Sequence, residues 1–472
     1  MQVPVHFYDA ITVGKNSSEG QVAQFHSALF TDGQPAQCMA TAVRLRDDLW
    51  IDSESFDSHD LFDSSLDDGP DEYTWTRDVQ RLFTLPRCLH IGLGSSAGHD
   101  LYIRNALYRN LAEYPNTGHP RDSHFLDLAT LIRAVKTLRP EILPWDMGPV
   151  LGTDQQIRRR LMWDSGLAPE NRAFTIRSLL SELRQASPSL VDHALTQTSV
   201  TQLKDALGFE DGAISSVRSI KACFLCHQTI MTERRAGMFM PVAVDLNHPD
   251  IVYMADLESD LSGLCDTACT AFEALVRQSP GQTHLPIVRV SLSRIPFIAA
   301  LSAVRREDAV RLGISISVVK ANLERLQTNP SVVSSLLEHP IMSDTGLPAD
   351  VDHRMLAGDY TEADRRLLTQ LHQAQLFDWP GLLAGASDNR LHELGKRMLL
   401  RYAPGLMTEQ ELASWKLRVI NRVAGGSSTP EQVEMRVRHA QSCAIAMPTA
   451  RGICDLSTRI QRLLGSTESA YI

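Results

Sequence analysis

Residues 4–14 read PVHFYDAITVG. Val5, Phe7, Ala10, Ile11 and Val13 are apolar and Gly14 ends the run, which is the pattern of a first β-strand. Side chains two apart in a strand share a face, so Asp9 and Ile11 point the same way. Two carboxylates spaced Asp-x-Glu on such a face would hold a pair of divalent cations. Here one carboxylate is present and its neighbour is an isoleucine.

A chain of 472 residues exceeds one ordinary core, so two or three domains are expected. No apolar run approaches the roughly 20 residues of a membrane span. Residues 1–14 lack a basic start followed by a long apolar core, so no secretion signal is expected. The eight cysteines are scattered and read as reduced thiols, which fits a cytoplasmic address. A net charge of −10 disfavours a generic polyanion binder, yet a local basic groove is compatible with an acidic average.

Strands are expected at residues 21–25, 40–45 and 88–93, and helices at 76–83, 100–111, 124–138 and 172–185. Together they indicate an α/β domain over residues 1–190. Residues 47–72 are rich in Asp, Glu and Ser and read as a solvated loop, or more sharply as an acidic surface that repels or mimics nucleic acid. The turn at residues 94–98 is a strand-to-helix connection rather than a phosphate loop, since it lacks Lys-Ser/Thr. Over 195–345 a smaller β-rich module is expected, with a hairpin of residues 240–246 and 250–257 around Asn247-His248-Pro249, a third strand at 286–291, and helices at 306–312 and 318–327. From 350 to 472 the pattern is helical. Thr361 with Asp364 and Thr408 with Glu411 read as caps, and Leu391, Leu394, Met398 and Tyr402 line one face.

Several of these stretches resemble bacterial exonuclease I. Residues 285–292 (LPIVRVSL), Ile295-Pro296-Phe297, residues 305–314 (RREDAVRLGI), Gly237-Met238-Phe239, Asn247-His248-Pro249 and residues 254–257 (MADL) are similar to its central domain. Residues 7–14, 82–86, 104–110 and 138–141 are similar to its nuclease domain, and residues 360–366 to its helical domain, all in the same order. The resemblance implies a ribonuclease-H-like nuclease domain of the DEDD-exonuclease type, an SH3-like α+β domain and a C-terminal helical domain. In the family these clamp single-stranded DNA and remove nucleotides from its 3′ end.

That chemistry needs carboxylates converging on two cations and a histidine that takes a proton from water. In the family the set is Asp-x-Glu on the first strand, an Asp after the third strand, and a late His with a following Asp. By the resemblance Asp9 matches the first Asp, the Glu position is Ile11, and the next Asp position falls on His99, with Asp100 one place later. No His-x4-Asp occurs in residues 169–180. Asp9 and Asp100 are thus the vestigial catalytic residues, and Asp9 is the one remaining Mg²⁺ ligand of the pattern. No cofactor is expected unless activity survives, in which case it is Mg²⁺.

Arg104, Arg109, Arg234 and Arg235 are the candidate DNA contacts, since phosphate contact asks for charge and reach rather than one geometry. Arg139 and Arg305 match positions through which the family docks the acidic tail of the single-strand-binding protein, although two companion positions read Ala300 and Gln327. Cys223-x-x-Cys226-His227 matches a haem-attachment pattern, but covalent haem is attached outside the cytoplasm. Cys223, Cys226, Cys265 and Cys269 read as buried thiols, with a four-thiolate zinc site as the alternative.

The leading expectation is an exonuclease I-like protein with an eroded metal site, a pseudoenzyme or accessory subunit in DNA repair or recombination. A second reading is an active 3′-to-5′ exonuclease with a rearranged site using Asp9, Asp100 and Asp192 or His193. A third is a protein-interaction module docking through the acidic segment 47–72. The partners expected for the protein are single-stranded DNA and, by the resemblance, the single-strand-binding protein tail, with no membrane.

Overall fold

The computed structural model describes residues 3–14, 16–49, 68–94, 98–112, 114, 123–142, 172–209, 219–227, 230, 235–245, 248–261, 286–328 and 347–423. The opening strand forms β1 (Val5–Val13), and it is buried on both faces because helices cover the sheet from both sides. β2 (Gln21–Thr31) and β3 (Gln34–Ala42) make an antiparallel hairpin. Its turn is Asp32-Gly33, both at positive φ (51° and 78°), the backbone that a two-residue hairpin loop demands. This Asp-Gly signal lengthens the second strand and starts the third earlier than periodicity alone suggests.

Next come α1 (Glu72–Phe83), β4 (Leu89–Gly92) and α2 (Asp100–Arg109). The helix expected over 124–138 is instead β5 (His124–Asp127) followed by α3 (Leu128–Leu138). Residues 124–127 pair in parallel with β4, which outweighs their helical periodicity. Asp127 then stops the strand by capping α3, accepting from the amide of Ala129 at 3.0 Å and from that of Gly94 at 2.8 Å. Among the described residues the sheet has five strands in the order β3-β2-β1-β4-β5, antiparallel on one side of β1 and parallel on the other.

Pro188 ends α4 (Arg172–Ala186) and opens α5 (Pro188–Leu195), where its missing N–H costs nothing. A capping box at Ser199 and Gln202 starts α6 (Val200–Leu207). The second sheet takes β6 (Cys223–Cys226), β7 (Ala236–Val244), β8 (Ile251–Asp256), β9 (Ile287–Ser291) and β10 (Phe297–Ala300), in the order β10-β6-β7-β8-β9. The hairpin expected around residues 247–249 is β7–β8. β6 and β10 are four residues each, too short to show a period.

α7 (Arg306–Leu312) and α8 (Ile316–Thr328) complete this part. The helical part holds α9 (Glu362–Gln373), α10 (Trp379–Leu383), α11 (Asn389–Tyr402) and α12 (Glu409–Val423). Thr361 caps α9 as its sequence suggests, its hydroxyl accepting from the Asp364 amide at 3.1 Å. One apolar core runs through both sheets. A second joins Leu368, Leu391, Leu394 and Met398 to Tyr108 and Leu111 at the end of α2. Buried charge ties the helical part down as well: Arg401 and Arg422 reach Asp48 at 2.8 and 3.2 Å. Residues 424–472 of the expected helical part lie outside the described residues, as do residues 50–67 of the acidic segment.

Candidate functional site

β4 ends at Gly92, which pairs with Tyr8. Asp9 therefore stands just past the carboxyl end of the parallel strands, in the crevice where open α/β sheets place ligands. It is 4% exposed, and its cross-strand partner is His26 on β2. Two groups from elsewhere in the chain close on its carboxylate. His99 Nδ1 lies 3.9 Å from Oδ1, and a guanidinium nitrogen of Arg172, the first residue of α4, lies 3.6 Å from Oδ2. Ile11 on the same strand face is packed in the core at 2% exposure. The His26 imidazole is pushed down to about 4, first by burial and then by the Arg172 guanidinium, with Asp9 opposing.

Among the described residues, the donor set does not fit a pair of hard cations. Mg²⁺-type ions ask for several oxygen ligands. Asp9 offers one carboxylate, and a guanidinium already stands beside it where a cation's charge would be. Among the described residues no three His, Cys, Asp or Glu side chains group closely enough to hold a metal.

Asp100 does not join Asp9. The Tyr8 hydroxyl donates to it at 2.6 Å, and Tyr8 and Asp9 leave opposite faces of β1 because they are adjacent in a strand. The residue that reaches Asp9 is His99, one place earlier. Burial pushes the Asp100 carboxyl up to about 6, with Asp127 adding and the Tyr8 hydrogen bond and Arg104 opposing. Nor does the rearranged set assemble: Asp192 is exposed and paired with Arg184 at 2.8 Å, and His193 Nε2 donates to the Ile298 carbonyl at 2.8 Å.

The candidate DNA-contacting arginines separate. Arg109 is 1% exposed. It donates to Glu72 at 3.0 and 2.8 Å and to the carbonyls of Ser18 and Gly20 at 2.9 and 3.0 Å. These bonds use its donors inside the fold, so it locks α2 to α1 and the β1–β2 turn rather than facing a phosphate. Arg104 is buried at 7%, with Asp100, Tyr114, Asp250 and Asp359 in its electrostatic surroundings. Arg235 is half-buried in a left-handed backbone (φ 47°), and Arg234 lies outside the described residues.

Arg139 and Arg305 do come together, on Asp308 at 2.9 and 2.8 Å, with Arg311 at 2.9 Å. Arg305 also reaches Glu141 at 3.0 Å. Burial alone would raise the Asp308 carboxyl, but Arg305 and Arg311 hold it well below the usual carboxylate range.

Arg172 and Arg294 were not among the sequence candidates. Arg294 is half-buried; burial and then the charges of Arg104 and Arg289 lower its pKa, while Asp100 opposes. The next residue, Ile295, holds φ 45°, a strained backbone for a β-branched side chain. The only local hint was Ile295-Pro296, whose conformation is not readable from composition.

Cys223 and Cys226 sit three apart in β6, so their thiols leave opposite faces and do not share one metal. Both are buried and reduced, and Cys265 and Cys269 lie outside the described residues. No helix among the described residues is long and apolar enough to cross a membrane.

Comparison with known proteins gives matches to the exonuclease I SH3-like domain over residues 227–339 and the exonuclease I C-terminal domain over residues 349–446. Exodeoxyribonuclease I of Escherichia coli (strain K12) is 25% identical over 361 residues, 74% of this chain and 74% of that protein. Exodeoxyribonuclease I of Buchnera aphidicola (subsp. Baizongia pistaciae) is 20% identical over 441 residues, covering 88% and 87%. The crystal structure of E. coli exonuclease I with a dA16 oligonucleotide superposes with a TM-score of 0.81 at 20% identity, over 99% of this chain and 100% of that one. That of SSB/exonuclease I with the inhibitor CFAM superposes at 0.80 and 20% identity, over 98% and 99%. The fold is therefore a ribonuclease-H-like domain followed by SH3-like and helical domains.

Proposed function

Because the chain belongs to the exonuclease I family, we propose that it grips the 3′ end of single-stranded DNA without the family's metal-dependent cleavage, as a pseudoenzyme or accessory subunit in DNA repair or recombination. The observation that carries this reading is the ion pair of Arg172 with Asp9 beside Ile11. A carboxylate neutralised by a guanidinium, with an apolar neighbour in place of the second acid, offers little to a divalent ion. The grip itself asks only for cationic side chains within reach of phosphates. Arg104, Arg235 and Arg294 are the residues assigned to it, and the strain at Ile295 supports a functional role for that turn.

The cluster of Arg139, Arg305 and Arg311 is the proposed seat for the acidic tail of a single-strand-binding protein. The reduced cysteines suit a cytoplasmic setting. The test is an end-labelled oligonucleotide incubated with and without Mg²⁺ or Mn²⁺. A salt-sensitive gel shift with no shortening is expected, because phosphate contacts release counterions. Shortening that disappears in Asp9→Ala overturns the proposal.

A further inference from the structure

We infer that the seat at Arg139, Arg305 and Arg311 is held shut by two exposed carboxylates of the chain itself, Glu141 and Glu307, which an incoming acidic segment must displace. The inference rests on the reading of this cluster as the seat for an acidic tail, and it names the regulation of that seat.

The partners of the three arginines are of two kinds. Asp308 is the buried kind, 1% exposed. It accepts from Arg305 Nε at 2.8 Å and Nη2 at 3.0 Å, from Arg139 at 2.9 Å and from Arg311 at 2.9 Å. The end of α3 joins it there. Arg311 donates to the Thr137 carbonyl at 2.6 Å and Arg139 to the Leu138 carbonyl at 2.6 Å, so cations stand at the negative end of that helix. These bonds position the guanidinium groups and are not open to a ligand.

The second kind faces solvent. Pro140 ends α3, and the 3₁₀ turn Pro140–Ile142 carries Glu141 to Arg305, whose Nη2 donates to Oε1 at 3.0 Å. Glu307, in the first turn of α7, stands 3.2 Å from Arg305 Nε. The two glutamate side chains are 53% and 71% exposed. Three guanidinium charges meet one buried carboxylate, and among the described residues the two glutamates supply the other two negative charges. The resting cluster is therefore balanced, and the part of the balance on the solvent side consists of ion pairs that contribute little and exchange readily. A lone carboxylate gains nothing by trading places with Glu141. A segment with several adjacent carboxylates takes both places in one binding event, so the seat discriminates by the number of charges offered.

The experiment is calorimetric titration of the full chain with a synthetic acidic tail peptide of a bacterial single-strand-binding protein. Glu141→Gln should tighten binding roughly two- to fivefold, the size of one exposed ion pair, and Glu141→Gln with Glu307→Gln should tighten it further. Adding Arg305→Ala should erase the gain. Glu362→Gln, which removes the same charge from α9, should leave the affinity at the wild-type value. Equal affinity of wild type and both glutamine variants overturns the inference and leaves the seat standing. A gain that Glu362→Gln reproduces, or that survives Arg305→Ala, also overturns it, because the effect is then one of net charge. Binding by none of these proteins overturns the seat and the inference together.

Discussion

Arg109→Met separates a structural arginine from a phosphate-binding one. Glu72 is 0% exposed and receives Arg109 at 3.0 and 2.8 Å and Asn110 at 2.9 Å. Removing the guanidinium strands a buried carboxylate, and such losses run at about 3–5 kcal/mol. Arg46, 3.6 Å from Glu72, offsets part of this, while two carbonyls that lose their donor each cost about 1 kcal/mol. The expected net loss is roughly 3–4 kcal/mol. With a urea slope of about 2 kcal/mol per molar, the first unfolding transition should move down by roughly 1.5–2 M. Tryptophan fluorescence follows it, because Trp75 lies buried in α1. Adding Glu72→Gln to the variant should recover part of the loss, since the unpaired charge is gone. Oligonucleotide affinity of the folded protein should be unchanged. An unshifted midpoint with weakened DNA binding would refute this account and return Arg109 to the DNA face.

The Asp100 carboxyl titrates near 6 in the fold against an ordinary 3.8, so the folded state keeps its proton longer and stability falls as pH rises from about 4 to 6. Asp100→Asn should match wild type near pH 4 and exceed it above pH 6 by roughly 1–2 kcal/mol in urea melts, after the weakened Tyr8 bond is counted; a gain confined to low pH refutes this. Asp308→Asn should cost about 2–4 kcal/mol at neutral pH by unclasping Arg139, Arg305 and Arg311. Because the Asp308 carboxyl is depressed, the clasp's contribution is complete above the ordinary carboxylate range and is lost only as pH falls below that range toward the depressed folded value, and a variant indistinguishable from wild type at pH 7 speaks against the clasp. The same variant frees the arginines and should bind an acidic tail peptide several-fold more tightly, read by calorimetry. Arg294→Ala should lower oligonucleotide affinity and flatten the salt dependence by about one phosphate contact, with little change in melting; an unchanged salt slope removes Arg294 from the interface.

The sequence by itself settled what depends on near neighbours and on order along the chain. The β7–β8 hairpin, the capped helix at Thr361 and the family resemblance in all three parts were legible from residues a few positions apart. So was the missing acid at Ile11, because strand alternation fixes its face once β1 is recognised. Tertiary structure decided the rest. Residues 124–127 became a strand only because β4 offered them a partner. His99 rather than Asp100 reached Asp9, and that choice is set by how α2 meets β1. Arg109 turned inward because Glu72 waits in the core, and Arg172 came to Asp9 from far along the chain. The physical reason is the same in each case: which charge a side chain meets depends on packing between distant elements, and local periodicity carries no record of it.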